Sequence, residues 1–171
     1  MIDCEIRDAQ HADLPELLEI FNEQILNSVY SFRINPLTPI EGERWYVSHS
    51  DPRYPILVAQ PRQPATVNRT ALGWASLSPW SDYEAYYRTA EVSVWIRPEH
   101  QRQGLGHQLM ASLIARARHW DFRVLLSRVE ASNRGSLSLH QRLGFQTIGT
   151  MHRVGEKFGR LLDVVMLELQ L

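Results

Sequence analysis

The stretch TAEVSVWIRPEHQRQGLG, residues 89–106, decides the fold. Its first eight residues are rich in β-branched and aromatic side chains, which is typical of a strand. After Gly104, apolar residues recur with helical spacing and predict a helix that ends near Trp120: Leu105, Leu109, Met110, Leu113, Ile114 and Ala117. A strand therefore passes through a glycine-containing turn directly into a helix.

Two helices and three strands are predicted before this stretch, the first strand lying ahead of the first helix. Asp13, followed by Glu16, resembles a capping box and starts a helix that reaches about Ile25. Thr38 before Pro39 gives the start signal for a second, shorter helix. Apolar runs separated by a polar, proline-containing segment predict a strand, a hairpin-like loop and a strand, at residues 56–59, 60–70 and 71–77.

The remaining chain predicts one more helix and three strands. Residues 124–129 form a buried strand, and a helix follows over residues 134–143 until Gly144 ends it in the left-handed conformation. Residues 145–149 and 162–169 supply the last strands. The order β-α-α-β-β-β-α-β-α-β-β has no repeat or linker, so residues 1–171 are predicted to form a single mixed α/β domain.

Composition excludes several classes of protein. With 44% hydrophobic and 22% charged residues, the 171-residue chain is typical of a compact domain. Eighteen basic and nineteen acidic residues without a long basic run argue against a nucleic-acid binder. The single cysteine, Cys4, favours a reducing compartment. No signal-like start and no apolar run near ~18 residues is present, so we expect a cytoplasmic protein that does not contact a membrane.

The glycine turn favours an anion ligand. Gly104 and Gly106 let the backbone approach a ligand closely, and the free N–H groups at a helix start attract a phosphate. A nucleotide-hydrolysing P-loop needs Gly-Lys-Ser/Thr, but His107 follows Gly106. A dinucleotide fingerprint needs a small residue where Leu109 stands. A plain strand-to-helix turn that uses glycine only for its geometry is the remaining alternative.

The pattern Gln-x-x-Gly-x-Gly after the strand VSVWI resembles the acyl-CoA pyrophosphate loop of the GCN5-related N-acetyltransferase (GNAT) superfamily. The resemblance covers almost the whole chain and narrows to the phosphinothricin and methionine sulfone/sulfoximine acetyltransferases. Five stretches carry it: SFR at 31–33, PW at 79–80, TAEVSV at 89–94, LHQRLGF at 139–145 and GEKFGRLLD at 155–163.

This resemblance implies a cofactor site for acetyl-CoA on the central strand and the turn. The strand is expected to be bulged and to splay from its neighbour, so that its main chain binds the pantetheine arm. The implied cofactor-binding residues are Val94, Trp95, Ile96, Gln101, Arg102, Gln103, Gly104, Leu105, Gly106, His107, Asn133 and Ser136. Asn133 has a second interpretation as the N-cap of the following helix.

Acetyl transfer to an amine needs a base, an oxyanion donor and a proton for the departing thiolate. Glu91 matches the glutamate that the subfamily uses as its base, acting through water. Independently of the resemblance, a carboxylate among Val92 and Val94 is costly unless it is functional or paired. An ion pair with Arg88 or another arginine is the alternative. His140 stands where the subfamily carries a histidine that can give or take a proton, with a structural role as its alternative. A backbone N–H near Val94 is the expected oxyanion donor.

No metal is expected, because none of the seven histidines has a zinc-type i, i+4 pairing.

The segment 80–88 is expected to line the acceptor side. Relatives carry basic residues where Ser81 and Tyr83 stand, so Arg33 or Arg88 is considered for a carboxylate. The loop 154–159 is implied to reach a neighbouring subunit, which predicts a homodimer. The implied substrate-binding residues are Phe32, Arg33, Trp80, Ser81, Tyr83, Tyr86, Arg88, Lys157 and Phe158.

The sequence thus predicts an acetyl-CoA-dependent N-acetyltransferase for a small amino-acid-like amine. One alternative is transfer to a protein N-terminus or lysine, which requires an open groove. Another is a non-catalytic acyl-CoA-binding module, which has no use for Glu91.

Overall fold

A computed structural model describes residues 3–62 and 71–171. The predicted order of helices and strands is confirmed, although most of the predicted loop 60–70 lies outside the described residues. The elements are β1 (Cys4–Asp8), α1 (Leu14–Asn27), α2 (Pro39–Val47), β2 (Ile56–Pro61), β3 (Gly73–Pro79), β4 (Thr89–Ile96), α3 (Leu105–His119), β5 (Val124–Glu130), α4 (Arg134–Arg142), β6 (Gln146–Lys157) and β7 (Arg160–Gln170).

The helix starts follow from their capping residues. At α2 the Thr38 hydroxyl accepts from the Glu41 N–H at 3.3 Å while the Glu41 carboxylate accepts from the Thr38 N–H at 2.9 Å. At α1 the predicted capping box is wrong, although the helix begins where expected. The Asp13 carboxylate instead binds the Arg7 guanidinium at 2.6 and 2.8 Å, so this ion pair connects β1 to the start of α1.

Within residues 3–62 and 71–171, seven strands form one sheet in the order β1-β2-β3-β4-β5-β7-β6. Among these described strands, only the β4–β5 pair is parallel. Helix α3 packs on one face and buries all six apolar positions predicted for it. Helix α1 packs on the other face over Trp74, whose indole N–H donates to the Leu17 carbonyl at 3.1 Å.

The last strands differ from the prediction. Strand β6 continues to Lys157 instead of ending at Gly149, with two shifts in its pairing with β7, between Thr147 and Gly149 and between Met151 and Gly155. These irregularities break the alternation that a sequence pattern relies on. The expected loop 154–159 is therefore mostly strand, closed by a tight turn in which Phe158 and Gly159 have φ of 52° and 69°.

Strands β4 and β5 separate in the middle of the sheet. Their parallel pairing runs only from Thr89↔Val124 to Glu91↔Leu126. On its other edge β4 keeps one continuous register with β3 from Ala90 to Ile96. The implied separation of the central strand β4 from its neighbour β5 is thus present. The implied bulge in β4 does not appear as a register shift between β4 and β3. Residues 92–96 have a backbone edge that no described strand pairs.

A buried arginine fixes the end of β4. Arg97 is only 4% exposed, and its Nε donates to the Ala71 carbonyl at 2.8 Å. Its Nη2 lies 3.1 Å from the Glu19 carboxylate on α1. Because this guanidinium binds both the Ala71 carbonyl and Glu19 on α1, the position at which the chain leaves β4 and enters the glycine turn is tied to the helix layer.

Candidate active site

A cleft of about 840 Å³ opens where β4 and β5 separate. Its walls come from β4, the turn after it, the start of α3, β5, α4 and the segment 30–33. The cleft brings together these predicted site residues: Phe32, Arg33, Glu91, Val94, Trp95, Ile96, Gln101, Arg102, Gly104, Gly106, His107, Asn133, Ser136 and His140.

The turn between β4 and α3 has the geometry of an anion cradle. Gly104 has φ of 88° and Arg102 has φ of 58°, so the chain reverses through two left-handed residues before the helix. The first helical bond runs from the Gln108 N–H to the Gly104 carbonyl, which leaves the N–H groups of residues 105–107 without partners inside the helix. No acidic residue occupies the first turn of α3. The backbone here suits a phosphate.

Helix α4 forms the opposite wall of the cleft. A Cβ on Gly106 would lie 3.1 Å from the Leu139 side chain, so glycine lets the start of α3 approach α4. The Asn133 side chain accepts from the Ser136 N–H at 3.0 Å, which confirms the N-cap interpretation. Asn133 also lines the cleft, so capping and ligand contact are compatible at this residue.

His140 has one ring nitrogen without a hydrogen-bond partner among the described residues. It is 2% exposed, and its Nδ1 lies 2.8 Å from the Ser136 carbonyl. Since a carbonyl only accepts, Nδ1 carries the proton and Nε2 is an acceptor. Nε2 is buried and has no partner among the described residues. Burial lowers the pKa of His140, outweighing the opposite effect of the Ser136 carbonyl.

Glu91 is paired with Arg128, a residue that the sequence did not single out. Arg128 Nε lies 2.6 Å from one carboxylate oxygen of Glu91 and Nη2 lies 2.5 Å from the other. The pair raises the pKa of the Arg128 guanidinium. The available signal was an exposed arginine within the otherwise mostly buried strand β5. The expected ion-pair alternative therefore holds for Arg128, and both partners line the cleft.

The segment 80–88 contributes less to this cleft than expected. Arg88 pairs with Asp121 at 2.8 Å and does not line the cleft. Ser81, Tyr83 and Tyr86 also lie outside its lining, the two tyrosines 73% and 47% exposed. Trp80 does not line the cleft either, but its ring contacts a residue that does, because the Arg128 guanidinium lies 5.8 Å from the ring centre.

Four further predicted site residues lie outside the cleft. Leu105 is 1% exposed in the core, and the Gln103 side chain donates to the Glu99 carbonyl at 3.0 Å. Lys157 is buried and donates to the Ser31 carbonyl of the same chain at 2.8 Å. Lys157 thus anchors the 30–33 segment through a contact within its own chain. Since Ser31 lines the cleft, this contact helps to hold one wall of the cleft in place. Phe158 is exposed at the tip of the β6–β7 turn.

The described residues, 3–62 and 71–171, contain no group of three His, Cys, Asp or Glu side chains arranged to hold a metal ion. In the same part of the chain, no helix is both long and apolar enough to span a bilayer.

Residues 16–145 match the family described as "Acetyltransferase (GNAT) family". The chain belongs to the GNAT acetyltransferases. Over 166 residues it is 38% identical to the L-methionine sulfoximine/L-methionine sulfone acetyltransferase of Pseudomonas aeruginosa, a match that spans 97% of this chain and 94% of that protein. Family membership therefore rests on nearly the full chain.

Two solved acetyltransferase structures are similar to nearly the whole of this chain. A phosphinothricin acetyltransferase from Sinorhizobium meliloti in complex with acetyl-CoA has a TM-score of 0.92 and 29% identity, covering 99% of this chain and 89% of that one. A ribosomal-protein-alanine N-acetyltransferase from Brucella melitensis has a TM-score of 0.88 and 32% identity, covering 98% and 99%. The fold described above is the GNAT fold.

The buried histidine predicts how the stability of this GNAT domain depends on pH. Because burial depresses the folded-state pKa of His140, the unfolded chain binds more protons, and the free energy of unfolding falls as pH drops below about 6.5. His49 has a pKa lowered by the same cause and adds to the slope. Urea unfolding from pH 7.5 to 5.5 measures this dependence.

In His140→Asn the slope is expected to decrease by up to about 1.4 kcal/mol per pH unit, the limit for one proton. Gln141→Asn is the control for the substitution itself, since Gln141 is the exposed neighbour of His140 on α4 and has no titratable side chain. An unchanged slope in His140→Asn would show that this imidazole does not titrate differently in the folded state.

Proposed function

We propose that this GNAT protein is a cytoplasmic, acetyl-CoA-dependent N-acetyltransferase that acts on the amine of a small amino-acid-like substrate of the methionine sulfone, methionine sulfoximine or phosphinothricin type. One observation carries the proposal: a single cleft is lined by the glycine turn, by Glu91 and by His140, whose buried Nε2 has no partner among the described residues. The names of the related enzymes support the amino-acid-like substrate.

Acetyl-CoA supplies the activated acetyl thioester, and the cleft offers groups to hold it. The turn's N–H groups at residues 102–107 suit the pyrophosphate. The unpaired edge of β4 suits the amide-containing pantetheine arm, with Val94 and Ile96 as the main-chain contacts and Trp95 between them. Asn133 and Ser136 stand opposite on α4. This arrangement directs the thioester toward the point where β4 and β5 separate, beside Glu91.

Glu91 and His140 divide the proton transfers. Glu91 takes one proton from the acceptor's ammonium, through water, so that a neutral amine attacks. A second proton is released as the C–N bond forms; His140 Nε2 accepts it and passes it to the departing thiolate. The unpartnered Nε2 supports this order, because a neutral imidazole must take a proton before giving one. A backbone N–H near Val94 on the unpaired edge is the proposed donor to the developing oxyanion.

Aromatic residues favour a small acceptor. Phe21, Tyr30, Phe32 and Trp95 line the same cleft as Glu91 and provide apolar contacts for a side chain. Transfer to a protein N-terminus is the second candidate, supported by the similarity to the ribosomal-protein-alanine N-acetyltransferase. The two differ in one chemical property of the acceptor, a free α-carboxylate, which a peptide N-terminus lacks.

Replacing the proposed base tests this function. In Glu91→Gln the rate of acetyl-CoA-dependent thiol release with methionine sulfone is expected to fall by roughly 10²–10⁴-fold, because an amide cannot accept the amine's proton. Calorimetric affinity for acetyl-CoA is expected to persist, since the turn is untouched. Glu5→Gln on β1, at the far end of the sheet, is the matched control with unchanged turnover. Full turnover in Glu91→Gln would remove Glu91 from the reaction.

We infer that the enzyme is a homodimer that uses the edge strand β6. This strand ends the sheet, and its neighbourhood exposes large apolar side chains: Ile148, Met151, Val154, Phe158 and Leu161. An exposed apolar sheet edge favours association with another chain. In a dimer, Phe158 at the turn tip is the residue placed to contact the partner.

Light scattering at micromolar concentration tests the dimer. The expected mass is twice the 19.8 kDa of one chain. Ile148→Lys, at a side chain 55% exposed on β6, is expected to yield monomers. Val47→Lys on α2, equally exposed at 56%, is expected to leave the dimer intact. A monomeric mass for the unaltered chain would refute the dimer.

A further inference from the structure

Arg128 lies beside Glu91, the proposed base, in the region of the cleft where β4 and β5 separate. It is on β5, two residues beyond Leu126, the last residue that pairs with β4. Its side chain is 47% exposed, whereas its partner Glu91 is 18% exposed. Arginine is thus the more accessible member of a close ion pair at the reacting end of the cleft.

The guanidinium is held on two sides and open on a third. Nε and Nη2 donate to the two oxygens of Glu91, and the Trp80 ring lies 5.8 Å away. A guanidinium has five N–H donors in one plane. The described contacts occupy its Nε/Nη2 edge, so the Nη1/Nη2 edge is available for a second carboxylate, the planar and bidentate ligand that arginine favours.

We propose that Arg128 binds the α-carboxylate of the acceptor while Glu91 receives its ammonium through the bridging water, so that the pair recognises the zwitterion of a free amino acid. This inference rests on the proposed function. An α-amino acid carries its cation and its anion on one carbon, and Glu91 and Arg128 present the complementary anion and cation side by side. Glu91 can serve both groups, because an ionised carboxylate has about four acceptor sites.

The other arginines considered for this role are less well placed. Arg88 is bound to Asp121 outside the cleft. Arg33 lines the cleft, but its guanidinium lies 3.6 Å from Glu41 and belongs to the 30–33 segment. Arg128 is the cation in contact with Glu91, and it takes the place of the basic residues that are missing at Ser81 and Tyr83.

The test compares L-methionine sulfone with its carboxamide, which keeps the amine and removes the negative charge. KM and kcat are measured for both compounds with the unaltered enzyme and with Arg128→Gln. The expected result is a KM for the acid that rises roughly 10–100-fold in Arg128→Gln, the equivalent of losing hydrogen bonds to a charged group. The KM for the amide is expected to change little. Arg128→Lys is expected to restore part of the preference for the acid.

Two further variants separate substrate binding from general effects. Arg116→Gln, at a surface ion pair with Asp8, is the control and is expected to change neither KM. A purely structural role of Arg128 would raise both KM values together and would contradict the proposal. Loss of the acid preference in Arg33→Gln, with the preference kept in Arg128→Gln, would also overturn it.

Calorimetry of both compounds in the presence of CoA distinguishes this inference from the proposed function. If the enzyme acetylates acid and amide with equal KM, the function holds and the role of Arg128 is wrong. If nothing is acetylated but the acid binds more tightly than the amide in an Arg128-dependent way, the role of Arg128 holds and the function is wrong. Absence of both binding and turnover would overturn both.

Discussion

The separation of β4 from β5 is the constraint on which the rest of this structure depends. A parallel pair that stops at Glu91↔Leu126 leaves the backbone of residues 92–96 without partners on one side. Unpaired backbone groups in the middle of a sheet are costly unless a ligand or water satisfies them. The split is maintained because each strand is held by its other neighbour, β4 by β3 and β5 by β7.

The side chains of the proposed active site take their positions from the separation of β4 and β5. Glu91 is the last residue of β4 that pairs with β5, and Arg128 lies just beyond the corresponding point on β5. Helix α4 follows β5 and places His140 across the cleft, where its Nδ1 is fixed by the Ser136 carbonyl. The buried Arg97 anchors the start of the glycine turn. Strand separation thus positions Glu91, the proposed base, relative to His140 and the glycine turn.

Local patterns in the sequence predicted most of the fold. The six apolar positions of α3 and the capping box at Thr38 depend on neighbours a few residues away, and both are confirmed. The extent of β6 was underestimated, because its pairing with β7 passes through two irregularities that no alternating pattern encodes. Asp13 was assigned to the wrong partner, since Arg7 reaches it across a strand-to-helix connection.

The site shows the same division between local and distant information. The glycine turn and the Asn133 cap follow from contiguous residues. The ion pair of Glu91 with Arg128 joins residues 37 positions apart and depends on strand register. Lys157 bridges 126 positions to hold the 30–33 segment. Such contacts require the sheet order, which the sequence pattern alone does not specify.

Hydrogen exchange with and without acetyl-CoA tests most directly whether the strand separation is the cofactor site. With acetyl-CoA, slower exchange is expected in peptides covering residues 92–96 and 102–107, because ligand contacts would satisfy the free N–H groups there. Exchange in β6 is predicted to stay unchanged by the cofactor. Protection centred instead on the second cleft, of about 430 Å³ around Tyr46 and Arg116, would contradict the account.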